Sequence, residues 1–257
     1  MKALTYGLSD MWVLAVRNAK RIPRQPDLLI GFTVQPLMFV LLFVYVFGGA
    51  ISTPGLSYVD FLIPGIVVQT MAFGGFVTAL GLSEDLKKGL MDRFRSLPMS
   101  RSAVLTGRTL ADVSTNVVQL VVVLGVGLLV GFDFKTGVPD VVAGIALLLL
   151  IGYSFSWVFA FVGLAASSPE SANAYGFTII FPLTFVSSAF VPVASMPSWL
   201  QPVAENNPFT IMVNAVRGLF LGTPVGNDVW LAVAWSVGIA AVSAALAIWR
   251  YRRVVTR

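Results

Sequence analysis

The stretch VVAGIALLLLIGYSFSWVFAFVGLAASSP, residues 141–169, decides the fold, because it contains no charged side chain over 29 residues. About 20 apolar residues in an α-helix are enough to cross the hydrocarbon core of a bilayer. Working outward from it, five further uncharged runs occupy residues 28–59, 61–83, 113–132, 171–204 and 229–249. We therefore predict an all-α polytopic membrane protein that forms a single domain over residues 1–257. Its six transmembrane helices are expected at about 29–50, 59–82, 104–131, 139–165, 172–194 and 228–250.

The composition supports this class and excludes several kinds of chemistry. Hydrophobic residues make up 57% of the chain, charged residues 11%, and the mean hydropathy is +0.85. There is no histidine and no cysteine, which removes disulfides, the usual zinc and haem ligands, and catalysis by an imidazole or a thiolate. We expect no catalytic residue, no metal site and no nucleic-acid partner, and hence no enzyme activity in this chain.

The distribution of positive charge predicts the orientation. Of the 17 Lys and Arg residues, 15 fall in the N-terminal arm, the loop between the second and third spans, and the C-terminal tail. Only Lys135 and Arg217 fall on the opposite side. Because cytoplasmic loops carry the excess of Lys and Arg, six spans with both termini in the cytoplasm satisfy the charge bias.

Residues 1–27 predict an amphipathic helix that lies in the membrane interface. Apolar residues recur there at intervals of three and four, Trp12 among them, while Arg17, Lys20 and Arg21 lie largely on the opposite face. Such a helix is either a simple anchor or a lever on which a cytoplasmic partner acts.

Residues 196–224 are apolar but interrupted by four prolines, which makes a continuous spanning helix unfavourable. We predict two short helices, at about 198–204 and 208–221, with Asn206 and Asn207 capping the second. They form either a re-entrant pair that dips into the outer leaflet or a hairpin on the outer surface. Elsewhere, the one carboxylate at depth in a span, Asp112, is expected to pair with Arg108 four residues earlier.

The loop after the second span predicts a cytoplasmic helix at 84–98 that lies parallel to the membrane. It begins with acidic residues, carries an apolar stripe with a spacing near 3.6, and ends at Pro98. An amphipathic helix of this kind, in a loop too short to form a domain, fits a groove on a partner protein.

This loop also carries a resemblance to a known family. Its run E-D-x-x-x-G-L-x-D-x-x-R-S-L-P-M-S-R, residues 84–101, resembles the coupling segment of type-2 ABC transporter permeases, in particular the daunorubicin-resistance-like exporters. The interfacial helix, the six-span layout, and the N-P-F-T and V-R-G-L-F-L-G runs before the last span are similar to the same family. Leu90 departs from the pattern, since many relatives have Thr there.

The resemblance implies an export channel in the plasma membrane, formed by two permease subunits (two copies or two related chains) and driven by two cytoplasmic ATPase subunits. ATP and its Mg²⁺ would bind to those ATPases, because nothing in this chain matches the phosphate-binding G-x-x-x-x-G-K-[ST] loop. By the same match, Arg17, Lys20 and Arg21 would contact the ATPase, and Asn207, Pro208 and Arg217 would belong to a gating re-entrant pair. The implied ATPase-coupling residues are Glu84, Gly89, Asp92, Arg95, Leu97, Pro98 and Arg101.

The expected substrate is hydrophobic or amphiphilic: a drug, a lipid or a glycolipid. Three alternatives stay open, namely an ion-gradient-driven secondary transporter, a permease for a lipid-linked polysaccharide, and a regulatory subunit that moves nothing. A secondary transporter would normally show paired broken helices or ionisable groups near the midplane, and the sequence shows no clear repeat of that kind.

Overall fold

The structure is a computed structural model that describes residues 26–53, 55–87 and 101–255, with side chains described for 34–53, 55–87 and 105–253. The predicted interfacial helix, with Trp12, Arg17, Lys20 and Arg21, lies outside the described residues. So do Gly89, Asp92, Arg95, Leu97 and Pro98 of the predicted coupling helix, and the side chain of Arg101.

The described residues form helices and connecting turns, without a β-strand among them. In chain order the helices are α1 (Pro26–Leu41), α2 (Tyr58–Phe73), α3 (Phe76–Lys87), α4 (Arg101–Leu129), α5 (Val138–Ala165), α6 (Pro169–Phe185), α7 (Gln201–Glu205), α8 (Pro208–Leu221) and α9 (Asp228–Val255). A π-helical turn, Leu42–Phe47, extends α1, and a 3₁₀ turn, Val193–Ser195, precedes α7.

Four of the six predicted spans are helices long and apolar enough to cross a membrane. They are Tyr58–Lys87, in which α2 and α3 are joined at Gly74 and Gly75, Leu105–Leu129, Val138–Ala165 and Asp228–Arg253. The other two predicted spans are shorter helices, α1 with its π-helical turn and α6. The multi-pass helical class is therefore confirmed, and the count of six spans stays a prediction.

Helix α6, which corresponds to the fifth predicted span, ends earlier than predicted. We expected helix to about 194, whereas α6 ends at Phe185 and the chain then continues without regular helix through 191. Pro182 lies inside the last turn and Pro192 follows the irregular residues, so two backbone N–H groups that would continue a helix are missing. We call residues 186–191 the break segment.

Helix α2 lies at the centre of the bundle. Fourteen of its sixteen residues are buried, all except Val59 and Phe73, and it contacts α1, α4, α5 and α8. A helix buried on all sides must be apolar all round, which explains why this span carries no charge between Asp60 and Glu84. The main core surrounds α2, and it extends over α5 and α8.

A second core cluster closes the other end of the bundle. It joins α3, α4, α5 and α9 through Leu82, Leu105, Trp157 and Tyr251, with further apolar neighbours. Here α9 packs along α5, and a Cβ built on Gly163 of α5 would lie 2.8 Å from Cα of Ala79 in α3, so the absence of a side chain allows this close approach. We call this the basic end, because Arg108 and the tail arginines belong to it.

Candidate functional site

Four polar residues follow one face of α8: Asn207, which caps the helix, Thr210, Asn214 and Arg217. Their spacing of three, four and three residues brings them onto one side, because a helix repeats every 3.6 residues. Asn207, Thr210 and Arg217 are buried, and Asn214 is half-buried. We call these four residues the α8 polar stripe.

Asn207 connects α6 with α8. Its side-chain oxygen accepts a hydrogen bond from the Phe209 N–H at 2.9 Å, as an N-cap does, and Pro208 occupies the first turn. Its Nδ2 donates to the carbonyls of Leu183 and Val186 at 2.8 and 2.6 Å. The Leu183 carbonyl belongs to the last turn of α6, whose backbone acceptors have no partner within the helix, and Val186 is the first residue after that helix. One amide therefore caps the end of α6 and the start of α8.

The middle of the α8 polar stripe binds Ser188 of the break segment. The Ser188 N–H donates to Thr210 Oγ1 at 3.2 Å, and Ser188 Oγ donates to Asn214 Oδ1 at 2.9 Å. Buried backbone groups outside a helix need such partners, because leaving them unpaired in an apolar surrounding costs free energy. The stripe supplies the hydrogen bonds that the break segment lost when α6 ended.

Arg217 joins the break segment to α2. Its Nη2 donates to the carbonyls of Ser188, at 2.8 Å, and of Phe61, at 3.0 Å, while Nη1 donates to Asn214 Oδ1 at 2.9 Å. Its guanidinium also lies 3.9 Å from the centre of the Phe61 ring. Within the described ranges no carboxylate lies at salt-bridge distance, so carbonyl dipoles and a π face solvate this buried charge.

Helix α2 receives the break segment at a glycine. A Cβ on Gly65 would lie 2.7 Å from Cα of Ala189, so the two backbones touch where a side chain is missing. The hydroxyl of Tyr58, which lies about two turns before Gly65 on α2, donates to the Phe190 carbonyl at 3.0 Å. The break segment is thus held between α2 on one side and the α8 polar stripe on the other.

The far end of α8 is fixed by the turn between α4 and α5. The helix stops at Gly222, whose φ of 71° is a left-handed conformation that suits glycine. The Lys135 N–H donates to the Phe220 carbonyl at 2.9 Å, and Thr136 Oγ1 donates to the Leu219 carbonyl at 2.6 Å. The Lys135 ammonium also pairs with Asp60 at 2.6 Å. Of the two cations that the charge count assigned to the outer side, Arg217 joins the hairpin of α7 and α8 to the bundle through its side chain. The Lys135 ammonium instead holds the α4–α5 turn on α2, and the backbone N–H of this residue contacts the hairpin.

A separate ion pair links α3 and α4 at the basic end. Arg108 Nη1 lies 2.6 Å from Asp85 Oδ2, and both side chains are about one-fifth exposed. The predicted pair of Arg108 with Asp112 is therefore wrong, since Asp112 instead accepts a hydrogen bond from Thr78 Oγ1 at 2.9 Å. Helices α3 and α4 pack against each other, which brings Asp85 to Arg108. The spacing of four residues along α4 had predicted Asp112 as the partner.

The predicted site residues separate into two groups. Asn207, Pro208 and Arg217 lie on one helix, and Asn207 and Arg217 hold the same break segment. Glu84, predicted at the start of a separate helix, lies in the last turn of α3, because no proline or glycine interrupts the helix between Leu82 and Lys87. The described residues contain no group of three or more acidic side chains that would hold a metal ion.

The site predicted from the sequence did not include Thr210, Asn214 or Ser188. The 3-4-3 spacing of polar residues on an otherwise apolar helix was the signal for the first two, since such a stripe must face a polar partner. The partner was not readable from the sequence, because most of its contacts with the stripe are made by backbone groups, which any residue type supplies.

The fold and this site define a class: a multi-pass α-helical membrane protein in which a helical hairpin before the last span folds back onto a broken helix. Comparison with known proteins gives the family. The sequence profile of the ABC-2 type transporter matches residues 9–221. The chain belongs to the ABC-2 type transporter family.

Several of its relatives are permeases of ABC transporters. The chain is 37% identical over 250 residues to the daunorubicin resistance ABC transporter permease protein DrrB1 of Streptomyces coeruleorubidus. The aligned region covers 97% of this chain and 87% of that protein. It is 28% identical over 229 residues to the probable doxorubicin resistance permease DrrC of Mycobacterium tuberculosis, covering 88% and 82%. The doxorubicin resistance permease DrrB of the same organism is 27% identical over 222 residues, covering 82% and 75%.

Proposed function

We propose that this chain is the transmembrane subunit of an ATP-driven exporter that moves a hydrophobic or amphiphilic substrate, a drug, lipid or glycolipid, out of the cytoplasm or the inner leaflet of the plasma membrane. The observation that carries the proposal is the family match over residues 9–221, which takes in both the coupling segment and the hairpin. The drug-resistance names of the relatives favour a drug over a polysaccharide.

ATP and Mg²⁺ are bound by a partner in this proposal. The sequence has no G-x-x-x-x-G-K-[ST] loop to cradle nucleotide phosphates, so two ATPase subunits supply the hydrolysis. A second permease completes the channel. The presence of two similar permeases, DrrB and DrrC, in one organism makes a related chain as reasonable a partner as a second copy.

The described contacts support a route from the ATPase to the hairpin. Residues 88–100 connect α3 to α4, and the Arg108–Asp85 pair ties these two helices together next to that connection. Helix α3 is joined to α2 at Gly74 and Gly75, and α2 carries the break segment at Gly65. A displacement of the coupling segment would therefore move α2 against the α8 polar stripe.

We assign a gating role to that contact. The break segment is held by hydrogen bonds, from Asn207, Thr210, Asn214 and Arg217, rather than by interdigitated apolar side chains alone. Such bonds are directional and can be exchanged between two arrangements of the same helices. In this proposal the bonds of the stripe hold the outer end closed, and ATP-driven motion of α2 releases them.

The experiment is an affinity purification of the chain from its native membranes in mild detergent, with every stoichiometric partner identified by mass spectrometry. We expect a soluble protein with a nucleotide-binding G-x-x-x-x-G-K-[ST] loop at an equimolar ratio. Recovery of the chain alone, when a known ABC complex survives the same procedure, would contradict the proposal and favour the ion-driven transporter. A permease in the same eluate would decide between a homodimer and a related second chain.

A further inference from the structure

A narrow crevice between α1, α2 and α4 is lined by three glutamines. Gln35 comes from α1, Gln69 from α2 and Gln119 from α4, and Thr70 adds a hydroxyl. Pro36 and the rings of Phe39 and Phe73 complete the wall. We call this the amide crevice. Gln35 and Phe73 are partly exposed, so the crevice is reached from the surface between α1 and α2.

Polar atoms behind the crevice have no hydrogen-bond partner among the described residues. Gln119 is only 2% exposed, and no described donor reaches its Oε1. Asn116, one turn away on α4, is fully buried, and neither its Oδ1 nor its Nδ2 is bonded within the described part of the chain. The one bond of Gln69, from Nε2 to Thr184 Oγ1, is long at 3.5 Å. Buried amides are almost always paired in folded proteins, because an unpaired one costs free energy with no gain.

Folding alone does not account for these amides. Asn116 lies where α2 and α5 have glycines: a Cβ on Gly74 would be 2.9 Å from Asn116 Cγ, and one on Gly152 would be 3.2 Å from it. The bundle leaves room for a side chain at this point, and a leucine or methionine would fill an apolar core without orphaned polar atoms. The retention of amides points to a ligand that completes their hydrogen bonds.

The crevice has a defined chemistry. Its polar lining consists of uncharged groups: amides, which donate and accept, and the Thr70 hydroxyl, which donates to the Ile66 carbonyl and is left as an acceptor. The crevice therefore suits a neutral group that also donates and accepts. Its volume is about 10 Å³, room for a single group the size of a water molecule. The two phenylalanine rings offer an apolar surface beside that point. A hydroxyl on an otherwise apolar or cyclic molecule matches all three properties.

The carboxylate of Asp112 defines the competing chemistry. It lies on the same side of α4 as Gln119, seven residues and about 10 Å towards the basic end. An amine would be drawn to this carboxylate rather than to the crevice. The Thr78 hydroxyl donates to Asp112. Arg108 lies one turn beyond Asp112 on α4, farther from the crevice, and pairs with Asp85.

We propose that the amide crevice is the subsite for a neutral hydroxyl-bearing head of the amphiphilic substrate. Gln119 and Gln69, which line the crevice, contact the hydroxyl. The inference rests on the proposed function for the identity of the ligand as a transported substrate, but binding at the crevice is measurable without transport.

The absence of cysteine from the chain makes a direct test possible. The variant Gln35→Cys places a single thiol at the mouth of the crevice, in the full chain purified with its partners and reconstituted in nanodiscs. The probes are three amphiphiles with the same eight-carbon chain, used below their micellar concentrations: n-octyl glucoside (neutral, hydroxyl-rich), octyltrimethylammonium (cationic) and octanesulfonate (anionic). The readout is the concentration of each that halves the rate of alkylation of Cys by N-ethylmaleimide.

We expect n-octyl glucoside to protect the thiol at a lower concentration than either charged amphiphile. Adding Gln119→Met should raise the protective concentration of the glucoside about tenfold, as expected for one lost hydrogen bond, and leave those of the charged amphiphiles within twofold. The change removes an unpaired buried amide at constant length, so the chain should still fold. Gln201→Leu, which changes a glutamine of α7 outside the crevice, is the matched control and should shift none of the three.

Equal protection by all three heads, or an equal shift for all three in Gln119→Met, would overturn the proposal, because the crevice would then select only the chain. Preferential protection by the cation would overturn it in favour of recognition through Asp112. If the glucoside protects selectively but no ATPase co-purifies, the subsite stands and the exporter proposal fails, so the two failures are distinguishable.

Discussion

Replacing Arg217 with methionine should loosen the break segment without unfolding the bundle. The guanidinium donates to the Ser188 and Phe61 carbonyls and to Asn214. Asn214 keeps a second donor in Ser188 Oγ, but no other donor to the Ser188 carbonyl is found among the described residues. Methionine is apolar and of similar length, so the space is filled while the hydrogen bonds are lost.

The magnitude follows from those contacts. A hydrogen bond from a charged group contributes about 1.5 to 3 kcal/mol, and an orphaned buried carbonyl costs about 1 to 3 kcal/mol. Removal of the buried charge recovers part of this. We expect the free energy of opening of the break segment to fall by about 3 kcal/mol, which is roughly a hundredfold in the opening equilibrium.

Hydrogen exchange measured by mass spectrometry tests this directly. The Ser188 and Ala189 N–H groups donate to Thr210 Oγ1 and Ser187 Oγ, so the peptide over 186–191 should be protected in the wild type. Its exchange should accelerate about a hundredfold in Arg217→Met, and less in Arg217→Lys, which keeps the charge but not the planar fork of donors. Arg250→Met, which removes one bond to the Leu164 carbonyl at the basic end, should leave this peptide unchanged. Unchanged exchange of the peptide in Arg217→Met would refute the role given to the stripe.

Three further changes test other parts of the structure. Gly65→Ala should reduce the yield of monodisperse protein in size-exclusion chromatography, because the added Cβ meets the backbone of Ala189. Gly238→Ala, where the added Cβ lies in open space, should be tolerated, and equal yields of the two variants would contradict the close approach at Gly65. Asn207→Asp keeps the cap of α8, but the carboxylate cannot donate to the end of α6, so hydrogen exchange of the break segment should rise by roughly tenfold. Protection like that of the wild type would show that the donated bonds are dispensable. Asp92→Ala combined with Arg95→Ala should leave membrane insertion intact while lowering ATPase recovery in the affinity purification, and full recovery would remove these residues from the proposed contact.

Much of the architecture was predictable because burial in lipid constrains sequence directly. Every backbone polar group must be satisfied within the helix, and each charge at depth is costly, so long uncharged runs mark the spans. The ranges predicted for the second, third, fourth and sixth spans agree with helices in the structure to within a few residues. The helix from Pro208 to Leu221 also coincides with its predicted range, since the N-N-P start and the glycine end are local signals.

The break after α6 was not predictable from the same reasoning. Residues 186–191 are as apolar as a spanning helix, and hydropathy does not distinguish a helix from an irregular segment whose backbone is bonded by side chains from elsewhere. The carbonyl partners of Arg217 and the carboxylate partner of Arg108 were hidden for a related reason. Ser188 and Phe61 lie 29 and 156 residues from Arg217, and Asp85 lies 23 residues from Arg108.

The sequence by itself determined the class of protein, the ends of most helices and, through the spacing of Asn207 to Arg217, that one helix carries a polar face. These properties depend on local composition and periodicity, which act within a few turns of chain. Only the tertiary structure decided what that face binds and that Arg108 pairs with Asp85. Those outcomes depend on which backbone groups the folded bundle brings within 3 Å of a donor, and sequence spacing does not encode that distance.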